Sequence, residues 1–122
     1  MSTNPTNPTV VPTSRFKLKI QASRESTLVI CSGRLTSEIA AEFKQEIRAL
    51  IPQTKRVVLD LNDVGFIDSS GLGAIIGVYV TAKKAPCELQ LINLSKKVRD
   101  LLGMTNMLSV FESTCQYGTR IL

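Results

Sequence analysis

The chain has 122 residues, of which 43% are hydrophobic, so it can bury one continuous core but is too short for a second independent domain. Its 15 basic and 10 acidic residues give a formal charge of +5, and the basic residues are spread along the whole chain. Nucleic-acid binding normally needs a concentrated basic face, so we expect no direct contact with nucleic acid. No apolar stretch approaches the roughly 20 residues of a membrane-spanning helix, so we expect no membrane span.

Three cysteines and the absence of histidine bear on metal binding. Cys31, Cys87 and Cys115 lie far apart and form no Cys-x-x-Cys pair, so we interpret them as free thiols, two of them buried. Scattered thiolates without imidazole groups do not make a zinc site. The sequence therefore predicts no metal site and no cofactor.

Residues 1–14 are mainly Thr, Asn, Pro and Ser, without the basic and apolar regions of a secretory signal. We expect a disordered N-terminal lead-in over residues 1–14, a single domain over residues 15–122 and a cytoplasmic location.

The first predicted elements are a hairpin and a helix. Residues 15–22 alternate apolar and polar side chains, as expected of an edge strand with one wet face, and residues 27–32 form a continuous apolar run. We expect these two strands to pair. From Thr36 or Ser37 the apolar residues recur at helical spacing, and a proline stops this helix near Leu50.

The central part of the chain predicts a strand, a loop and a second helix. Residues 56–61 have the composition of a buried strand, and residues 62–68 are expected to form a loop. Ser69 or Ser70 can cap a helix that runs to about Lys84. We expect its buried stripe to consist of Leu72, Ile75, Ile76, Tyr79 and Ala82.

The last predicted elements complete the fold. Residues 87–92 form a further strand, Ser95 caps a short helix that Gly103 closes in a left-handed conformation, and residues 108–111 can add a short strand. The order of elements predicts an α/β fold in which a mixed β-sheet of four to five strands packs against three to four α-helices.

Residues 65–73, with the sequence Gly-Phe-Ile-Asp-Ser-Ser-Gly-Leu-Gly, form the segment with the most specialised composition. A serine at the start of a helix is held at the surface near unpaired N–H groups, where a phosphate would bring roughly −1.5 to −2 charges. Asp-Ser-Ser before a helix is also ordinary capping chemistry. Because Gly71, Gly73 and Gly77 each cost about 1 kcal/mol in a helix, we expect them to let the helix approach the sheet and to leave its first turn open for a partner.

The run from Phe66 to Gly73 resembles the signature of the STAS family, the anti-sigma factor antagonists of bacterial partner-switching systems. The similarity extends from about residue 16 to residue 111. Residues 56–61, 91–93 and 98–104 also match the family pattern at corresponding spacing. The resemblance implies that the single domain has the STAS fold.

The resemblance also implies a mechanism. The unphosphorylated domain would bind an anti-sigma factor that is itself a serine protein kinase, and so free the sigma factor. The kinase would use ATP to phosphorylate the first serine of the motif, Ser69, which ejects the antagonist, and a metal-dependent phosphatase of the PP2C type would restore it. The other motif and partner-binding residues would be Asp68, Ser70, Gly71, Leu72 and Gly73. Of these, Asp68 would shape the electrostatics around the hydroxyl and Ser70 would help to cap the helix.

One segment departs from the family pattern. Antagonists of this family often carry Gly-Glu-Leu-Asp after the second strand, whereas this chain has Gly33-Arg34-Leu35-Thr36. Thr36 is still an acceptable helix cap. The replacement of an acid by Arg34 puts any kinase or nucleotide contact at this position in question.

Other functions compete with this interpretation. The same fold can serve as a STAS scaffold or a regulatory subunit of a larger complex, such as a stress-signalling assembly or a lipid-transport ATPase. An enzyme with Ser69 or Ser70 as nucleophile is disfavoured, because the chain has no histidine to act as base and no Gly-x-Ser-x-Gly motif. A nucleotide-binding module would need a glycine-rich loop with a lysine, which is absent from the sequence. We therefore expect a protein that is not an enzyme.

Overall fold

The computed structural model describes residues 16–105. In chain order the elements are β1 (Phe16–Gln21), β2 (Thr27–Leu35), α1 (Ser37–Leu50), a 3-10 turn (Ile51–Gln53), β3 (Arg56–Ile67), α2 (Ser69–Lys84), β4 (Glu88–Ile92) and α3 (Lys96–Met104). The predicted lead-in over residues 1–14, the predicted strand over residues 108–111 and Cys115 lie outside the described residues.

The four strands form one mixed sheet in the order β1-β2-β3-β4. β1 and β2 pair antiparallel as the predicted hairpin, while β2 with β3 and β3 with β4 pair parallel. α1 joins β2 to β3, and α2 joins β3 to β4. Because both connections step in the same direction across the sheet and such crossovers are right-handed, both helices lie on the same face of the sheet. α1 and α2 accordingly pack against each other. The sheet and its three helices confirm the predicted fold class.

The core lies between this face of the sheet and the two long helices. Val29 of β2 and Leu59 of β3 are fully buried, as are Ile47 of α1 and Ile75 of α2. Ile76 and Tyr79 were expected in the buried stripe of α2 but are only half-buried. Ala74 and Val78 take those places because α2 packs against α1 as well as against the sheet.

Two cysteines belong to this core, as the sequence predicts. Cys31 and Cys87 are buried free thiols. Burial, with a smaller contribution from the nearby Asp60 carboxylate, raises the pKa of Cys31 from 9.0 to about 12. Burial also raises the pKa of Cys87. Both thiols therefore stay protonated at neutral pH and act as small apolar side chains.

The prediction of a loop over residues 62–68 is wrong, because β3 continues to Ile67 beside β2. Two register shifts interrupt this pairing, and each places an extra residue in β3. Such bulges hide the alternation that marks a strand in the sequence. The first is held by Asp60, whose carboxylate accepts hydrogen bonds from the Asn62 N–H (3.0 Å) and the Asn93 side-chain amide (3.2 Å).

α3 packs beside the second half of β3, beyond the end of β4. Ser95 caps α3 as predicted, since its hydroxyl oxygen accepts a hydrogen bond from the Val98 N–H at 3.3 Å. The same hydroxyl donates to the Val64 carbonyl at 2.7 Å. The expectation that Gly103 ends the helix in a left-handed conformation is wrong: α3 continues through Gly103 to Met104. Within residues 16–105 no helix combines the length and the apolar composition needed to cross a bilayer.

Candidate functional site

The predicted motif lies where β3 ends and α2 begins. Ile67 is the last residue of β3, Asp68 is the N-cap of α2, and Ser69 and Ser70 are the first two residues of the helix. Both serines are exposed. α1 starts from the same edge of the sheet, because β2 runs parallel to β3 and its last residue, Leu35, pairs with Ile67.

Asp68 joins the starts of the two helices. Its Oδ1 accepts a hydrogen bond from the Gly71 N–H at 2.9 Å, and its Oδ2 accepts one from the Ser37 N–H at 3.1 Å. The cap of α2 is therefore Asp68, and the expectation that Ser69 or Ser70 caps this helix is wrong. Thr36 occupies the N-cap position of α1 without a side-chain capping bond, so the Asp68 carboxylate caps both helices.

Two of the predicted motif residues face inward. A Cβ atom on Gly71 would overlap the Leu35 carbonyl oxygen and would lie 2.9 Å from Leu35 Cγ. Only glycine lets α2 start this close to β2. Leu72 is 6% exposed and belongs to the core. These two residues position the start of α2, and the surface of the site consists of Ser69, Ser70 and Gly73.

Gly73 lies one helical turn after Ser69 on the same face of α2. A Cβ atom added there would meet nothing within 4 Å, so the hydroxyl of Ser69 has open space beside it. Further along this face lie the half-buried Ile76 and then Val80, which is 45% exposed. We call Ser69, Gly73, Ile76 and Val80 the α2 stripe. It is a low, largely apolar surface with one exposed hydroxyl at its end.

The chemistry around Ser69 does not resemble that of an activated nucleophile. In the described part of the chain no protein group hydrogen-bonds the Ser69 hydroxyl, and the carboxylate of the adjacent Asp68 accepts hydrogen bonds from two backbone N–H groups. A hydroxyl in this setting is accessible to a second protein that supplies its own base. Such a hydroxyl can accept a phosphoryl group when the second protein also supplies the donor.

Sequence reasoning missed one contact near the site. The guanidinium carbon of Arg34 lies 4.4 Å from the centre of the Phe66 ring, and Phe66 is 37% exposed. The two residues are paired across β2 and β3. The sequence marks Arg34 only as a departure from the family pattern. That Phe66 lies opposite it depends on the alignment of β2 with β3, which includes two bulges.

Comparison with known proteins identifies the family. The family model described as "Mlab, STAS domain" matches residues 18–110. The anti-sigma-B factor antagonist of Bacillus subtilis is 25% identical over 97 residues, which cover 80% of this chain and 89% of that protein. The anti-sigma F factor antagonist of Paenibacillus polymyxa is 26% identical over 97 residues, which cover 78% of this chain and 83% of that protein.

A solved structure agrees with the fold. The anti-sigma factor antagonist SpoIIAA in its unphosphorylated form superposes with a TM-score of 0.64 at 21% identity, covering 75% of this chain and 81% of that one. The family model matches most of the chain. The sequence relatives and the solved structure support the same assignment. The chain therefore belongs to the STAS domain family.

Proposed function

We propose that this protein is a cytoplasmic anti-sigma factor antagonist controlled by phosphorylation of Ser69. Its unphosphorylated form binds an anti-sigma factor that is a serine protein kinase, and the sigma factor is released. The observation that carries the proposal is the exposed Ser69 hydroxyl at the end of the α2 stripe, with open space over Gly73. The names of the relatives support the same role.

The kinase transfers the γ-phosphoryl group of ATP to Ser69 Oγ; ADP leaves and the hydroxyl proton goes to the kinase's base. Two features keep the new phosphate from binding to the backbone N–H groups at the start of the helices. Asp68 already occupies the N–H groups of Gly71 and Ser37, and its carboxylate repels a second anion. The phosphate therefore stays at the surface on which the partner docks.

The charge itself can separate the two proteins. A phosphate brings roughly −1.5 to −2 charges, and enclosing it in an interface without a matching cation carries a desolvation penalty. Asp68 holds the starts of α1 and α2 to the end of β3. Dissociation of the partner therefore needs no large conformational change in this protein. A metal-dependent phosphatase of the PP2C type then removes the phosphate and restores binding.

A second candidate is a regulatory subunit of a larger complex, such as a lipid-transport ATPase. The matched family model, described as "Mlab, STAS domain", is not restricted to antagonists by its description, and one fold can serve several roles. In that role the α2 stripe would contact a constant partner, and the protein would purify with transporter subunits rather than with a serine kinase. Ser69 would then contribute a hydroxyl to the interface without being phosphorylated.

Phosphorylation in vitro tests the first proposal. The protein is incubated with Mg-ATP and each purified anti-sigma factor kinase of its source organism, and intact mass and peptide mapping follow the modification. We expect one phosphoryl group on Ser69 of the wild-type protein and of Ser70→Ala, and none on Ser69→Ala. Phosphorylation of Ser69→Ala at the wild-type rate would contradict the proposal, as would modification of Ser70 alone.

A further inference from the structure

The Arg34 side chain is exposed at the end of β2 and lies over the ring of Phe66, 4.4 Å from its centre. No carboxylate pairs with it in residues 16–105, where the ion pairs all involve other cations. A cation of this kind on the rim of a candidate site is available to an external anion.

The contact with Phe66 prepares Arg34 for such an anion. When a guanidinium lies against an aromatic ring, its face is occupied but the N–H donors in its plane remain available. These donors form a fork that matches a carboxylate in bidentate geometry. The ring also restricts the side chain before binding, which reduces the conformational entropy lost in the complex.

Arg34 and Phe66 lie at the same end of the sheet as the phosphorylation site. Phe66 precedes Ser69 by three residues, and the carbonyl of Leu35, next to Arg34, accepts a hydrogen bond from the Asp68 N–H at 3.3 Å. Arginine and exposed aromatic residues are also among the residue types that dominate binding energy at protein interfaces. Because Leu35 and Ile67 are buried in the core beneath α1 and α2, the neighbouring Arg34 and Phe66 lie on the opposite face of the sheet. A protein that docks on Ser69 contacts the pair by extending around this end of the sheet.

We propose that Arg34, held against Phe66, binds a carboxylate side chain of the protein that docks at Ser69 and so helps to select that partner. The inference rests on the function proposed above and names the chemistry of its partner. A partner with an acidic side chain facing Arg34 is favoured. One with a basic side chain there is rejected by repulsion between like charges.

Isothermal titration calorimetry tests the inference, with the unphosphorylated protein and the anti-sigma factor kinase that phosphorylates Ser69. We expect Arg34→Glu to raise Kd about tenfold or more, since it replaces attraction by repulsion. Arg34→Lys is expected to raise Kd about threefold, because lysine has neither the planar fork nor the same contact with the ring.

Arg48→Glu is the matched control, since it changes the net charge equally. Arg48 is exposed in the last turn of α1, roughly 16 Å along the helix from Ser37, and should alter Kd by less than about twofold. A partner variant in which the facing acid becomes lysine should restore binding to Arg34→Glu. Circular dichroism of each variant verifies that the fold is retained.

The outcomes separate the two proposals. If the wild-type protein binds and is phosphorylated but Arg34→Glu binds equally well, only the role of Arg34 is overturned. An unchanged Kd together with a shifted phosphorus resonance of phosphorylated Ser69 in Arg34→Glu would assign Arg34 to the protein's own phosphate, and this too overturns the inference. If the wild-type protein neither binds nor accepts phosphate from any of the kinases, both proposals fail.

Discussion

Asp68 caps two helices with one side chain. Its two carboxylate oxygens accept hydrogen bonds from backbone N–H groups in the first turns of α1 and α2, and these helices start 32 positions apart in the chain. A negative charge is favoured there because the positive ends of both helix dipoles meet it. Asp68 thereby fixes the position of the exposed serine beside it.

The carboxylate of Asp68 should contribute measurably to stability. We expect Asp68→Ala to lower the free energy of unfolding by about 2 kcal/mol, at the upper end of the range for a single cap, because two hydrogen bonds are lost. Urea denaturation followed by circular dichroism measures the change. The control is Asp63→Ala, which removes an exposed carboxylate bonded only to the Asn62 side chain and should change stability by less than about 0.5 kcal/mol. Equal effects of the two substitutions would show that the double cap does not stabilise the fold.

The sequence locates this site but assigns the capping role to the wrong residue. Asp, Ser and Ser are all good N-caps, so composition alone places the start of α2 only to within two residues. The bond from Ser37 to Asp68 cannot be foreseen from local patterns, since it depends on how two parallel strands align. The exposure of Ser69 could be predicted, because the first turn of a surface helix keeps its end in solvent.

The glycines of α2 have different roles. Gly71 lies against the backbone of β2, whereas Gly73 has open space where a side chain would be. A glycine that weakens a helix without being required by the packing is consistent with close approach of another protein. The packing of the fold therefore requires glycine at position 71 and does not require it at position 73.

Alanine at the two glycines should change stability in opposite directions. Gly71→Ala is expected to lower the free energy of unfolding by about 1–3 kcal/mol, because the methyl group overlaps the Leu35 carbonyl oxygen. Gly73→Ala is expected to raise it by about 0.5–1 kcal/mol, because alanine is the better helix former. Thermal and urea unfolding of both variants test this. A stable Gly71→Ala protein would mean that α2 does not require this close approach to β2.

The elements could be predicted from the sequence wherever the pattern follows one period. β1, β2 and α1 show their periods clearly, and α2 is bounded by the Asp-Ser-Ser segment and the proline after Lys84. β3 could be predicted only as far as Leu61, since bulges break its alternation from that point. The pairing of Arg34 with Phe66 was hidden for the same reason.

The topology of the molecule brings the separate features of the site together. Parallel β2 and β3 end at the same edge of the sheet, and the helices that follow them start there, so Arg34, Asp68 and Ser69 share one end of the protein. The rest of the described domain is a well-packed core beneath this end. Under the proposed function, a phosphate on the exposed Ser69 would act through its charge at this end of the surface.

The affinity of the two phosphorylation states for one anti-sigma factor kinase tests the account as a whole. The protein is prepared unphosphorylated and fully phosphorylated on Ser69, and Kd is measured for both with the same partner at fixed salt concentration. We expect phosphorylation to raise Kd at least about a hundredfold, on the order of 3 kcal/mol, because it places an unpaired dianion in the interface. Equal affinity of the two forms would contradict the proposed switch.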